Sequence, residues 1–124
     1  MYQIGGILLG GAIGALLRFL VANGVYQWLG RGFPYGTLVV NVFGSFFIGF
    51  LTLYFMEREL LNSVLARGLI VGVLGAFTTF STFSLDTFDL IQQGRLLGAG
   101  LNALLNVGVC VLAVWAGVSV ARLV

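Results

Sequence analysis

Charge is what this sequence has least of. Only 8% of its 124 residues are charged, against 60% that are hydrophobic. A water-soluble domain carries about a quarter of its residues as charges, so the composition excludes a soluble globular fold. Lysine and histidine are absent. The six basic residues are all arginines, spread without a cluster, and no nucleic-acid-binding patch exists. Cys110 is the only cysteine. That rules out an intrachain disulfide and, without histidine, any Cys/His metal site. The chain is also short, with room for one small domain and hardly enough to enclose a solute path by itself.

What is present is apolar sequence in long runs. Residues 1–17, 33–56, 68–85 and 96–121 are uncharged. Each run approaches or exceeds the ~20 residues that a helix needs to cross a bilayer. The expected fold is therefore an all-α membrane protein, a single four-span transmembrane domain over residues 1–124. Its short connections fall at residues 30–35, 57–67 and 86–95, and there is no tandem repeat. Residues 1–17 lack a basic leader and read as a span, not as a cleaved signal peptide. Pro34 suits a first helical turn, where its missing N–H costs nothing. Glu57, Arg58 and Glu59 read as a solvated turn, Asp86 and Asp89 as markers of the membrane surface, and Trp115 as an interfacial anchor.

With four spans both termini lie on one side, together with Arg58, Arg67 and Arg122. Arg31 and Arg95 lie on the other, and Arg18 fits either. So even a distribution gives no positive-inside bias. Such a chain can insert in both orientations, and two opposed copies would form an inverted repeat.

Three stretches depart from plain lipid-facing helix. Span 1 carries Gly6, Gly10 and Gly14 at four-residue spacing, a ridge for close helix contact, followed by Arg18. An arginine at the bilayer centre costs about 2.5–3.5 kcal/mol; snorkelling to the interface and a polar vestibule both accommodate it. In span 2, Asn41 and Ser45 share a face near Gly44 and Gly49. In span 4, Asn102, Asn106 and Cys110 are four apart. Interhelical hydrogen bonding explains these polar positions; a path-lining face explains them too. The third stretch, residues 72–84, has two lead-in glycines, Gly72 and Gly75. Five hydroxyls follow within seven residues, Thr78, Thr79, Ser81, Thr82 and Ser84, interleaved with Phe77, Phe80 and Phe83. It reads as a helix break after Gly75, followed by an aromatic stripe beside a hydroxyl track. Polar density at membrane depth is tolerated where it faces protein or lines water.

Three motifs now stand together: Gly14-Ala-Leu-Leu-Arg18, Pro34-Tyr-Gly-Thr-Leu-Val-Val-Asn41-Val-Phe-Gly-Ser45-Phe and Gly72-Val-Leu-Gly75-Ala-Phe-Thr78-Thr-Phe80-Ser-Thr-Phe83-Ser84. In these, and in the order and spacing of all four spans, the chain closely resembles the Fluc/CrcB family of bacterial fluoride channels. The resemblance implies a multi-pass protein of the bacterial plasma (inner) membrane, not an enzyme. It further implies an antiparallel, dual-topology homodimer with two pores at the dimer interface, exporting fluoride passively to lower its cytoplasmic concentration. Residue by residue, Asn41 is expected to hydrogen-bond the anion, Phe80 and Phe83 to line the pore with ring edges, and Ser81 and Thr82 to form or adjoin its hydroxyl track. Asn106 is expected at the pore and Arg18 near a vestibule. Gly75 and Thr78 are expected to give backbone carbonyls to a structural Na⁺. Asp86 stands where the family has a glutamate, and its role, like that of Asn102, is left open by the resemblance.

Physical chemistry is compatible with those roles. An aromatic ring has a positive edge, so it can meet an anion without a fixed cation that would trap it. A half-helix end exposes carbonyls where the dipole is negative, and two antiparallel copies would bring the same carbonyls together. Two other functions compete. A small multidrug-resistance-type, proton-coupled cation exporter would need a carboxylate within a span, whereas all four acids fall at expected span ends. A non-transporting assembly subunit would explain the glycine ridges but not the phenylalanine and hydroxyl stripe.

Overall fold

The computed structural model describes all of residues 1–124. It is entirely helical, and four helices are long and apolar enough to span a membrane: α1 (Tyr2–Leu29), α2 (Tyr35–Glu57), α3 (Val64–Gln92) and α4 (Leu96–Ala121). The four-span reading holds, but two spans shift. The first uncharged run ends at Leu17, but the first connection was expected only at residues 30–35, and α1 does run through Arg18 to Leu29. Arginine is a good helix former, and nothing in the sequence breaks the helix before Gly30. There φ reaches 80°, a conformation that favours glycine, and its N–H closes on the Tyr26 carbonyl at 2.8 Å. At 1.5 Å per residue α1 is about 42 Å long, longer than a ~30 Å hydrocarbon core. Pro34 sits one position ahead of its expected place: it precedes Tyr35, the first helical residue of α2.

The shift in α3 matters most. α3 extends four residues before the expected start and seven beyond the expected end, so Asp86 and Asp89 lie in helix instead of in a loop. It stops where Gly94 takes φ 76°. The helix is interrupted after Gly75, as the glycines and hydroxyls suggested, at Thr78 and Thr79. Residues 64–77 form a first half containing a π-helical stretch, Gly68–Leu74. Phe80–Gln92 forms the second half. Thr78 and Thr79 are extended between them, with ψ 156° at Thr78 and φ −150° at Thr79. The Thr79 hydroxyl then accepts from the Thr82 N–H at 3.2 Å, an N-cap that restarts the helix.

Glycine sets the packing. α1 lies against the first half of α3, and α2 against α4. A methyl at Gly10 would overlap the Gly68 carbonyl, and one at Gly14 the Val73 carbonyl, so the expected glycine ridge is the α1–α3 contact. Gly49 and Gly117 hold α2 and α4 equally close, each meeting backbone of the other helix. Gly44 gives α2 room to approach the Thr78 side chain, and so the break. Only 21 of 124 residues are buried, because most large apolar side chains point outward, toward lipid or another chain.

Candidate functional site

The break leaves backbone groups without helical partners, and α2 supplies them. The Thr79 N–H would normally close on the Gly75 carbonyl. It donates instead to Asn41 Oδ1 at 2.8 Å, while Asn41 Nδ2 donates to the Thr79 carbonyl at 3.1 Å. One amide side chain thus imitates a strand partner for a single extended residue. The same Nδ2 donates to Asn106 Oδ1 at 2.9 Å. Asn106 Nδ2 donates to the carbonyl and the side-chain oxygen of Asn102, both at 3.0 Å. Asn102 Nδ2 donates to Thr87 Oγ1 at 3.0 Å, and Thr87 Oγ1 to the Phe83 carbonyl at 2.8 Å. The network joins α2, α4 and the second half of α3, at its cap Thr79 and at Thr87. In an apolar medium an unpaired polar group costs several kcal/mol, and no buried side-chain nitrogen or oxygen here lacks a partner.

Two open cavities meet at the break. One, of about 360 Å³, is lined by Asn41, Thr78, Phe80, Phe83, Asn106 and Cys110, among others. The other, of about 290 Å³, is lined by Arg18, Arg31, Thr37, Thr82 and Asp86, among others. Thr79 belongs to both walls. A smaller cavity of about 170 Å³ toward the loops shares Arg31 and Asp86 with the second and adds Asp89 and Arg95. Cavities with shared walls thus lie in sequence from the chain's Arg31 end to the break.

The sequence-derived set divides between these spaces. Asn41, Phe80, Phe83, Asn106 and Thr78 gather at the first cavity, Arg18 and Thr82 at the second. Ser81 and Gly75 line neither and are exposed; the Ser81 hydroxyl is 3.5 Å from that of Thr79. The aromatic stripe is shorter than its spacing suggested. Phe80 and Phe83 follow the break and tilt against each other at 5.3 Å and 59°, but Phe77 precedes it and faces an apolar groove with Leu17 and Phe43. Phe80 is 76% exposed and Phe83 8%.

Three residues gain weight that the sequence did not give them. Thr79 is the hub of the break; a threonine just before a helical run is an N-cap signal. Thr37 donates to Asp86 Oδ2 at 2.7 Å and binds α2 to the second half of α3. Thr87 ends the amide network. The last two pairings are 49 and 15 residues apart in the chain, and no local pattern announces them.

A cation site can be tested on the same geometry. No group of three or more His, Cys, Asp or Glu side chains could hold a metal. The Gly75 carbonyl has lost its Thr79 partner, and no backbone N–H returns to the Thr78 carbonyl. Neutral carbonyl oxygens at a helix C-terminus suit a hard cation such as Na⁺. Two from one chain are few, and Gly75 is exposed.

Comparison with known proteins points one way. The sequence model described as CrcB-like protein, Camphor Resistance (CrcB), matches residues 6–118. A protein of Methylococcus capsulatus named fluoride-specific ion channel FluC is 55% identical over 116 residues, 94% of this chain; the chain spans about half of that protein, 51%. Proteins of the same name from Magnetococcus marinus and Geobacter sulfurreducens are 52% and 47% identical, over 98% and 90% of this chain and 99% and 90% of their own lengths.

Proposed function

The chain belongs to the CrcB-like family, and from that premise we propose that it is a fluoride-selective channel. It works as an antiparallel homodimer of both membrane orientations, with two pores at the dimer interface. It releases fluoride passively from the bacterial cytoplasm. The observation that carries this reading is the half-built wall at the break: Phe80, three-quarters exposed, stands beside the Asn41 amide on an open face of the chain.

In this reading the anion arrives through the cavity that holds Arg18 and Thr82, where Arg18 raises the local anion concentration. It passes Thr79 and reaches the Phe80 and Phe83 ring edges and the Asn41 amide. Ser81 lies on the exposed face that the partner copy would cover. Edges and amides replace part of the hydration shell without a fixed positive charge, so the ion can leave again. The carbonyls of Gly75 and Thr78, doubled by the second copy, hold a structural Na⁺ that neutralises two facing helix C-termini.

The case against a cation exporter loses one argument, but no observation favours that reading. Asp86 does lie in a helix, but Thr37 holds it and it borders the loop-side cavity. The experiment is fluoride efflux from proteoliposomes read with a fluoride electrode, with chloride as control. Fluoride efflux well above protein-free vesicles, without matching chloride efflux, is the expected result; equal rates for both anions, or none for fluoride, contradict the reading.

A further inference from the structure

We infer that Thr87 and Asn102 are positioning residues that hold the Asn106 side-chain oxygen against Asn41, where it competes with the permeating anion for one Asn41 N–H. The inference rests on the reading of Asn41 as an anion ligand.

Hydrogen counting fixes the direction of the network. A threonine hydroxyl has one hydrogen, and Thr87 gives its hydrogen to the Phe83 carbonyl. Toward Asn102 the Thr87 oxygen can therefore only accept. Asn102 must turn its NH₂ to Thr87 and its oxygen to Asn106. Asn106 meets two acceptors on Asn102, so its NH₂ faces them and only its oxygen remains for Asn41. Asn102 is fully buried and Asn106 is 6% exposed. Little water reaches them to relax these choices.

The consequence lies at Asn41. Both of its N–H groups are already used, one on the Thr79 carbonyl and one on Asn106. The Thr79 bond belongs to a reciprocal pair that closes the helix break. The Asn106 bond is the one an anion can displace, and it returns when the anion leaves. A ligand that must displace a resting partner is held more weakly, and conduction needs a site that releases its ion. Thr87 and Asn102 touch neither the anion nor the 360 Å³ cavity; they act through Asn106.

The test uses Thr87→Val and Thr87→Ser in the full chain reconstituted in liposomes, with fluoride flux measured against fluoride concentration. Valine keeps the shape but removes the acceptor for Asn102 and frees the network end. Asn106 then loosens, and Asn41 offers an uncontested N–H. The fluoride concentration giving half-maximal flux should fall roughly three- to tenfold, the effect of one net hydrogen bond, while maximal flux also falls because release slows. Thr87→Ser, which keeps the hydroxyl, should restore both values. Asn102→Leu should shift the half-saturation in the same direction, and it decides the matter if Thr87→Val does not assemble. A half-saturation that is unchanged or raised, or a serine variant no better than valine, overturns the inference, because damage to packing alone would lower flux without tightening the site. A wild-type protein that passes no fluoride overturns the functional reading instead.

Discussion

Replacing Phe80 by isoleucine separates pore chemistry from packing more cleanly than any other change near the break. The ring is 76% exposed in the chain, whereas its neighbour Phe83 is 8% exposed. Isoleucine keeps apolar bulk but has no polarised edge. Within the fold the change loses the tilted contact with Phe83 at 5.3 Å, worth about 0.5–1.5 kcal/mol, and little else. Stability should therefore fall by no more than that one contact, and assembly should hold. Suppose the edge lowers the barrier to ion passage by about 0.7–1.4 kcal/mol, the range for one such polar contact. Flux then falls roughly three- to tenfold, since 1.36 kcal/mol is a factor of ten in rate. Phe83→Ile should lose similar flux and clearly more thermal stability, because it loses the same contact and its buried ring is also core, where such swaps add up to ~1.5 kcal/mol. The assay is fluoride efflux per reconstituted protein, with assembly followed by size-exclusion chromatography. Normal flux in Phe80→Ile at normal assembly would refute the pore-lining role, and a lowered stability equal to that of Phe83→Ile would show that exposure had misjudged its packing.

Gly14→Val and Gly117→Val should each destabilise the fold by at least the ~1–3 kcal/mol typical of overpacking, because any Cβ there meets backbone of the neighbouring helix; thermal unfolding in detergent checks this, and an unchanged midpoint would mean the helices are not held so close. Efflux of fluoride should be the same with and without a Na⁺ gradient at matched ionic strength, since a cation on the Gly75 and Thr78 carbonyls is structural; gradient dependence would contradict that role. A C-terminal cysteine tag, after removal of Cys110, should label from both sides of intact cells, and labelling from one side alone would rule out dual insertion.

The four spans were legible because each is a long apolar run bounded by charge or glycine, and the glycine ridge of α1 was legible as a contact for the same local reason. Arg18 ends an uncharged run but not a helix: the connection expected at residues 30–35 left residues 19–29 to the first span, and Tyr2–Leu29 continues through Arg18. The break in α3 was visible in composition, but not its cause. Gly72 and Gly75 signal weak helix, yet what opens the helix is Asn41 taking the Thr79 N–H, a partner 38 residues away. Asn41, Asn106, Phe80 and Phe83 line one cavity. Thr79, Thr37 and Thr87 did not stand out, since one threonine among many hydroxyls is distinguished only by the partner that the fold brings to it.

The central claim, a passive path selective for fluoride, is tested most directly by the reversal potential of the purified protein in a planar bilayer with unequal fluoride on the two sides and chloride balancing the charge. The reading predicts a current that reverses near the fluoride equilibrium potential, about 59 mV per tenfold ratio at 25 °C for a single charge, unmoved by a proton gradient. A reversal that follows chloride, or a current that vanishes without a proton gradient, would contradict it.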